Sequence, residues 1–137
     1  MGYFKSSKEL KEVLGGFFQK LFDDPKVGPK LRVAELKLQF RYSDPELTIS
    51  VDTSQEPVEL LFDDVHFQPE VQMSMKADVA HRFWHGKVNL IAALTRREMV
   101  AKGSIPKILS LLPVIKPAYA LYPTYLQEGG WENLTLK

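Results

Sequence analysis

A chain of 137 residues with 45% hydrophobic and 26% charged residues has the makeup of one folded domain, not of a disordered, collagenous or membrane protein. With 18 Lys+Arg against 17 Asp+Glu the formal charge is +1, so no overall field gathers phosphates and general nucleic-acid binding is disfavoured. The lack of cysteine excludes disulfides, thiol nucleophiles and cysteine-ligated metals, and leaves a cytoplasmic location as the default.

Lys5, Lys8, Glu9, Lys11 and Glu12 interrupt any apolar run near the N-terminus that would serve as a signal-peptide core. Met1-Gly2 with Ser6 matches a loose myristoylation pattern and reads as an ordinary start, and Thr135-Leu136-Lys137 is not a peroxisomal address. Residues 7–23 place Leu10, Val13, Leu14, Phe17, Phe18, Leu21 and Phe22 at helical spacing, which predicts an amphipathic helix. Ser6 followed by Glu9 forms a capping box, and Asp23-Asp24-Pro25 with Gly28-Pro29 end the helical region. Gly15 and Gly16 each cost about 1 kcal/mol relative to alanine in a helix, so the close approach of another element is expected there.

From Val33 to Tyr42 the pattern changes to period two, with Leu36, Leu38, Phe40 and Tyr42 on one face. The turn Ser43-Asp44-Pro45-Glu46 leads to a second strand with Leu47, Ile49 and Val51, predicting a hairpin. Beyond Ser54-Gln55-Glu56-Pro57 a third strand carries Val58, Leu60 and Phe62, and a fourth carries Val71, Met73 and Met75. Four such strands in succession predict an antiparallel meander with one buried face. Asp78 is the expected N-cap of a short helix ending at Gly86, and Asn89 that of a second helix through Glu98. Met99, Ala101, Gly103 and Ile105 read as a fifth strand. From Ile108 to Leu126 apolar residues occupy nearly the whole circumference of a helix, so burial on more than one side is expected. Simple sandwiching between layers satisfies this, as does a tail that borders a ligand cavity or an exposed partner surface. Pro123 bends or ends the last helix, which makes residues 118–137 a weakly anchored candidate lid.

The stretch MSMKADVAHRFWHGKVNLIAALTRREMVAKGSIPKILSLL, from Met73 to Leu112, resembles the sterol carrier protein type 2 family. The similar features are a strand leading to an Asp-initiated helix with Phe83, the Gly86-Lys87 junction, Asn89, Ala93, and a strand reaching Gly103 before an apolar helix. The family often has a glycine near position 97, where this chain has Arg97 and Glu98. The resemblance implies one α+β domain over residues 1–137: a five-stranded, mostly antiparallel sheet covered by helices on one side, with an apolar tunnel for fatty acyl chains, sterols or other lipids. It implies no catalysis. The residues expected to border the cavity are Met73, Met75, Phe83, Ile91, Leu94, Met99, Ala101, Ile105, Ile108, Leu109, Leu112, Ile115, Tyr119 and Tyr122.

Other chemistry is thin. His81 and His85 share a helix face as a zinc pair would, but Arg82 stands where a metalloprotease helix carries glutamate and no third ligand is evident. They read as surface or capping histidines whose joint removal is nearly neutral. Asp63 and Asp64 point to opposite strand faces and solvate a turn. Arg96, Arg97, Lys102 and Lys107 are solvated charges, with transient contact to a membrane surface as the sharper reading. No cofactor and no nucleic acid are expected, and the chain is a monomer or homodimer. Two other classes compete with lipid carriage: an interaction module using the apolar tail, and an enzyme on a cone-shaped fold. The latter needs an inward acidic residue, whereas Glu59 and Asp63 alternate with Leu60 and Phe62.

Overall fold

The computed structural model describes residues 2–55 and 57–136. Met1, Glu56 and Lys137, which belong to the lipidation pattern, the second turn and the C-terminal tripeptide, lie outside the described residues.

The expected first helix forms in three pieces: α1 (Ser7–Leu10), a π-helical segment (Lys11–Gly15) and α2 (Gly16–Asp23). Ser6 accepts the Glu9 N–H at 3.1 Å, and the Glu9 carboxylate accepts the Lys5 N–H at 3.3 Å. The two glycines mark the expected close approach. A Cβ on Gly15 would lie 2.8 Å from the Phe62 ring, and one on Gly16 would collide with the Tyr125 hydroxyl. That hydroxyl donates to the Val13 carbonyl at 2.9 Å, within the π segment, where the widened turn opens the helix's own bonding pattern.

Gly28-Pro29 does not end the helical region. Both residues lie inside α3 (Val27–Ala34), because a proline in the first helical turn removes only an N–H that has no intrahelical partner. Asp24 caps this helix, accepting from the N–H groups of Lys26 and Val27 at 2.8 and 2.9 Å, and these bonds hold its carboxyl below the usual range. The first strand accordingly starts later than Val33, which is 81% exposed on α3.

The sheet comprises β1 (Lys37–Ser43), β2 (Leu47–Asp52), β3 (Glu59–Phe62), β4 (Val71–Lys76) and β5 (Met99–Gly103) in the order β3-β2-β1-β4-β5. It is mostly antiparallel, as expected, but not a meander. β4 crosses to the far side of β1 and pairs with it in parallel, Phe40 opposite Met73. Alternation determines which face a residue occupies and carries no information about which strand is its neighbour. In register, Leu38, Phe40 and Tyr42 share a face with Val51, Val71, Met73, Met75, Met99 and Ala101. This face receives the helices. On the other face Gln39 donates to Ser50 at 3.1 Å and accepts from Gln72 at 2.6 Å, a polar lattice facing away from the core.

Helix α4 (Ala77–Trp84) has Lys76 at its N-cap, not Asp78, which sits in the first turn and accepts the Tyr3 N–H at 2.9 Å. Gly86, at φ 74°, ends it as expected. Asn89 caps α5 (Leu90–Thr95) through the Ala92 N–H, and the helix stops short of Glu98. Its end repeats the arrangement after α4: Glu98 N–H bonds Ala93 C=O at 2.9 Å, as Lys87 N–H bonds Arg82 C=O at 3.0 Å. The left-handed position is Gly86 in one case and Arg97, at φ 61°, in the other. Replacing Arg97 by glycine should therefore raise stability by up to about 1 kcal/mol, seen as a higher melting temperature. An unchanged or lower melting point would show that the Arg97 side chain outweighs its backbone strain.

The tail forms three helices instead of one: α6 (Ile105–Ser110), α7 (Leu112–Ile115) and α8 (Ala118–Glu128), separated near Pro113 and Pro117. Among the described residues no helix is long and apolar enough to cross a membrane.

Candidate functional site

Between the helix-bearing face of the sheet and the helices lies an apolar cavity of about 100 Å³, open in part to solvent. Its floor is the sheet: Leu38, Phe40 and Tyr42 of β1, Val51 of β2 with Thr53 beyond it, Val71, Met73 and Met75 of β4, and Met99 of β5. Its roof comes from Phe18, Leu21 and Phe22 of α2, Leu31 of α3, Ala80, Phe83 and Trp84 of α4, and Leu90 of α5. Ile108, Leu111, Leu112 and Ile115 complete the wall from α6 and α7.

Of the residues expected around such a space, Met73, Met75, Phe83, Met99, Ile108, Leu112 and Ile115 are brought together in this wall. The others stand elsewhere. Ile91 is 61% exposed on the outer side of α5. Leu94, Ala101 and Ile105 border a second, more open pocket with Arg97, Val100 and the shared Met99 beside the edge strand β5. Leu109 packs on the core outside the wall, and Tyr119 meets the Phe83 ring edge-on at 5.6 Å. Tyr122 is fully buried away from the cavity. The residues missed were Val51, Thr53, Val71, Ala80, Trp84, Leu90 and Leu111, and those of α2, α3 and β1. The signal for them was present in the apolar spacing of Phe18, Leu21 and Phe22 and in the inward alternation of Leu38, Phe40 and Tyr42.

A second cluster corrects the reading of the histidines. His81 is fully buried, not a surface group. Its Nε2 lies 2.7 Å from the Leu134 carbonyl oxygen and its Nδ1 2.8 Å from the Tyr122 hydroxyl. A carbonyl only accepts, so Nε2 carries the proton and Nδ1 accepts from Tyr122. His85 Nδ1 donates to the His81 carbonyl at 2.9 Å, and its Nε2 accepts the Leu136 N–H at 3.1 Å. Both rings are neutral and fasten the C-terminal segment to α4. Desolvation pulls the pKa of His81 down to about 4 and that of His85 below its ordinary value. Tyr3, tilted, and Phe4, edge-on, pack against His81 at 4.8 and 5.2 Å between ring centres, so the N-terminal segment closes on the same helix.

No family model and no curated protein matches the chain. Solved structures do. Sterol carrier protein 2 from Yarrowia lipolytica in its apo form is similar at 13% identity and a TM-score of 0.61, over 82% of this chain and 91% of that one. The sterol carrier protein domain 2 of Helicoverpa armigera is similar at 13% identity and 0.63, over 80% and 89%. Sterol Carrier Protein 2 Like 2 from Aedes aegypti is similar at 16% identity and 0.55, over 77% and 95%. The five-stranded mixed sheet, the helices gathered on one face and these likenesses converge: the chain has the sterol carrier protein 2-like fold.

Proposed function

We propose that residues 1–137 act as one lipid-binding domain that holds a fatty acyl chain, a sterol or a similar apolar molecule in the cavity and carries it without chemical change. The chemistry of the cavity wall supports this reading above all: only Tyr42 and Thr53 carry side-chain oxygen there, and no charged residue lines it. Transfer of apolar ligand surface from water contributes about 2.5 kcal/mol per 100 Å² buried, enough to retain a long chain without an ionic contact. The competing reading, a docking module built on the apolar tail, is less favoured because Ala118, Tyr122 and Leu126 are fully buried within the chain.

Filling the cavity tests the proposal. Val71, 1% exposed in the floor, points into the space, and Val71→Trp should occupy part of it. Wild-type protein should bind a fluorescent fatty acid and release a discrete added mass when a native spectrum is compared with a denaturing one. The variant should remain folded by circular dichroism and bind the fluorophore at least tenfold more weakly. Equal binding by both proteins would place the ligand outside this cavity and overturn the reading.

A further inference from the structure

Six large apolar side chains are left exposed among the described residues, and three of them, Ile91, Val100 and Ile105, fall within a stretch of 15 residues. They share one place in the fold. Val100 and Ile105, each 40% exposed, border the second pocket with Leu94, and Ile91 stands one helical turn before Leu94 on the same side of α5. The pocket follows β5, the edge strand of the sheet.

Basic residues frame this surface. Arg96 and Arg97 precede β5, Lys102 lies two residues from Val100 on the same strand face, and Lys107 follows Ile105 in α6; all four are exposed. Residues 91–107 hold these four cations and one acid, Glu98, a local charge of +3 that leaves −2 for the rest of the chain. Glu98 lies 4.0 Å from Arg96, and Glu70 lies 3.5 Å from Lys107; with Glu70 counted the surface still carries +2. Exposed pairs of this kind contribute little, so both cations can exchange partners. Arg97 adds a second sign. Its left-handed backbone, φ 61°, suits glycine better, and the matching turn after α4 does without a side chain at Gly86. The backbone therefore does not require the charge that Arg97 places at the pocket.

We propose that this edge, formed by α5, β5 and the start of α6, docks on a bilayer containing anionic phospholipid, with Ile91, Val100 and Ile105 entering the interface and Arg97 and Lys102 meeting headgroup phosphates. Such a bilayer supplies an apolar phase and a negative field together, and needs no matched shape. A second copy of this chain would bring like charge against like, and a lysine on an edge strand opposes strand pairing. The docked face lies against the cavity wall: Met99 borders both the pocket and the cavity, and α6 leaves Ile105 exposed while Ile108 lines the cavity. Docking of this kind requires no occupant in the cavity and is independent of the lipid-binding reading.

Co-flotation with vesicles of phosphatidylcholine, alone or in equal mixture with phosphatidylglycerol, tests this. Wild type should bind the mixed vesicles at low salt, and high salt or neutral vesicles should weaken binding by about tenfold or more. Arg97→Gln with Lys102→Gln should bind the mixed vesicles about 25-fold more weakly, about fivefold per charge, whereas Lys8→Gln with Lys30→Gln, the same change of charge on α1 and α3, should lose less than about threefold. Ile91→Ser with Ile105→Ser should lose about fivefold or more. All three should melt within a few degrees of wild type, since the changed side chains are exposed; if the isoleucine pair melts low, Ile91→Ser alone, with an expected loss of about twofold, carries the comparison. A fluorescent fatty acid should bind wild type and variants alike, so that a failure of docking and a failure of the cavity are read separately. Absence of vesicle binding by wild type, unchanged binding by the Arg97 and Lys102 variant, or an equal loss in the Lys8 and Lys30 variant would each overturn the proposal. Unchanged binding by the isoleucine variants would show a surface that reads charge alone, as an acidic protein would present it, and would overturn the bilayer as its occupant.

Discussion

Removal of residues 118–136 should leave a chain that no longer unfolds cooperatively. Ala118, Tyr122 and Leu126 are fully buried and Leu134 is 4% exposed, so α8 and the segment after it are anchored in the core. Tyr122 packs on Phe17 at 4.7 Å between ring centres and donates to His81. Tyr125 donates into the π segment of the first helix. Truncation of one large buried side chain costs about 2–5 kcal/mol, and a domain has about 5–15 kcal/mol in all. Loss of three such side chains, about 6–15 kcal/mol, consumes that margin. Urea titration followed by tryptophan fluorescence should give a gradual slope in place of the wild-type sigmoid. A retained sigmoid would return this segment to the role of a detachable lid, which its proline alone favoured.

The lid expectation shows where the sequence was legible and where it was not. Apolar spacing located the first helix, β1, β2, β4 and β5, because each presents one face to a shared core and alternates accordingly. Capping chemistry placed Ser6 and Asn89 correctly, since those side chains act within three residues of themselves. Pairing partners were illegible: nothing local to Phe40 distinguishes Ile49, its antiparallel neighbour, from Met73, its parallel one. The cavity wall was half legible. An all-apolar tail such as Ile108 to Leu126 predicts enclosure but not what encloses it, and Pro123 was read as a weakness although α8 continues through it. Histidine 81 was misread for a related reason, because spacing places it on a helix face while the partners that bury it, Tyr122 and Leu134, lie 41 and 53 residues away.

Acidification should destabilise the protein between about pH 6.5 and pH 4, and His81 should account for most of the loss. In the folded state its pKa is pulled down to about 4, whereas an unfolded chain returns it to the ordinary value of 6.5. The unfolded state therefore binds more protons across this window. The contribution of the neutral ring is fully present above pH 6.5, declines as pH falls and is exhausted below about 4. A difference of that size corresponds to roughly 3 kcal/mol, a large share of a domain's stability. Desolvation is the main cause, and among the groups facing the ring the Leu134 carbonyl and Asp78 favour the proton while His85 and Arg82 oppose it. Protonation also converts Nδ1 from acceptor to donor and sets it against the Tyr122 hydroxyl, which must then reverse. His85, lowered in the same direction, adds to the effect. Urea midpoints at pH 7 and pH 4.5 should differ strongly in wild type and much less in His81→Gln, whose amide keeps a donor and an acceptor but does not titrate. Equal pH dependence in both would exclude His81 as the source.

The meeting of both chain ends on α4 also governs when this protein can first become itself. Tyr3 reaches Asp78 across 75 residues, and His81 finds Leu134 across 53. A polypeptide emerging from the ribosome completes every strand of the sheet before residues 118–134 exist outside it. Until then Phe17, Phe83 and the His81 ring lack part of their cover, and the nascent chain presents an oily face to its surroundings. Closure of the fold thus waits on the emergence of residues 118–134, and a ribosome stalled within them would hold a sheet complete in outline and unsealed at its centre.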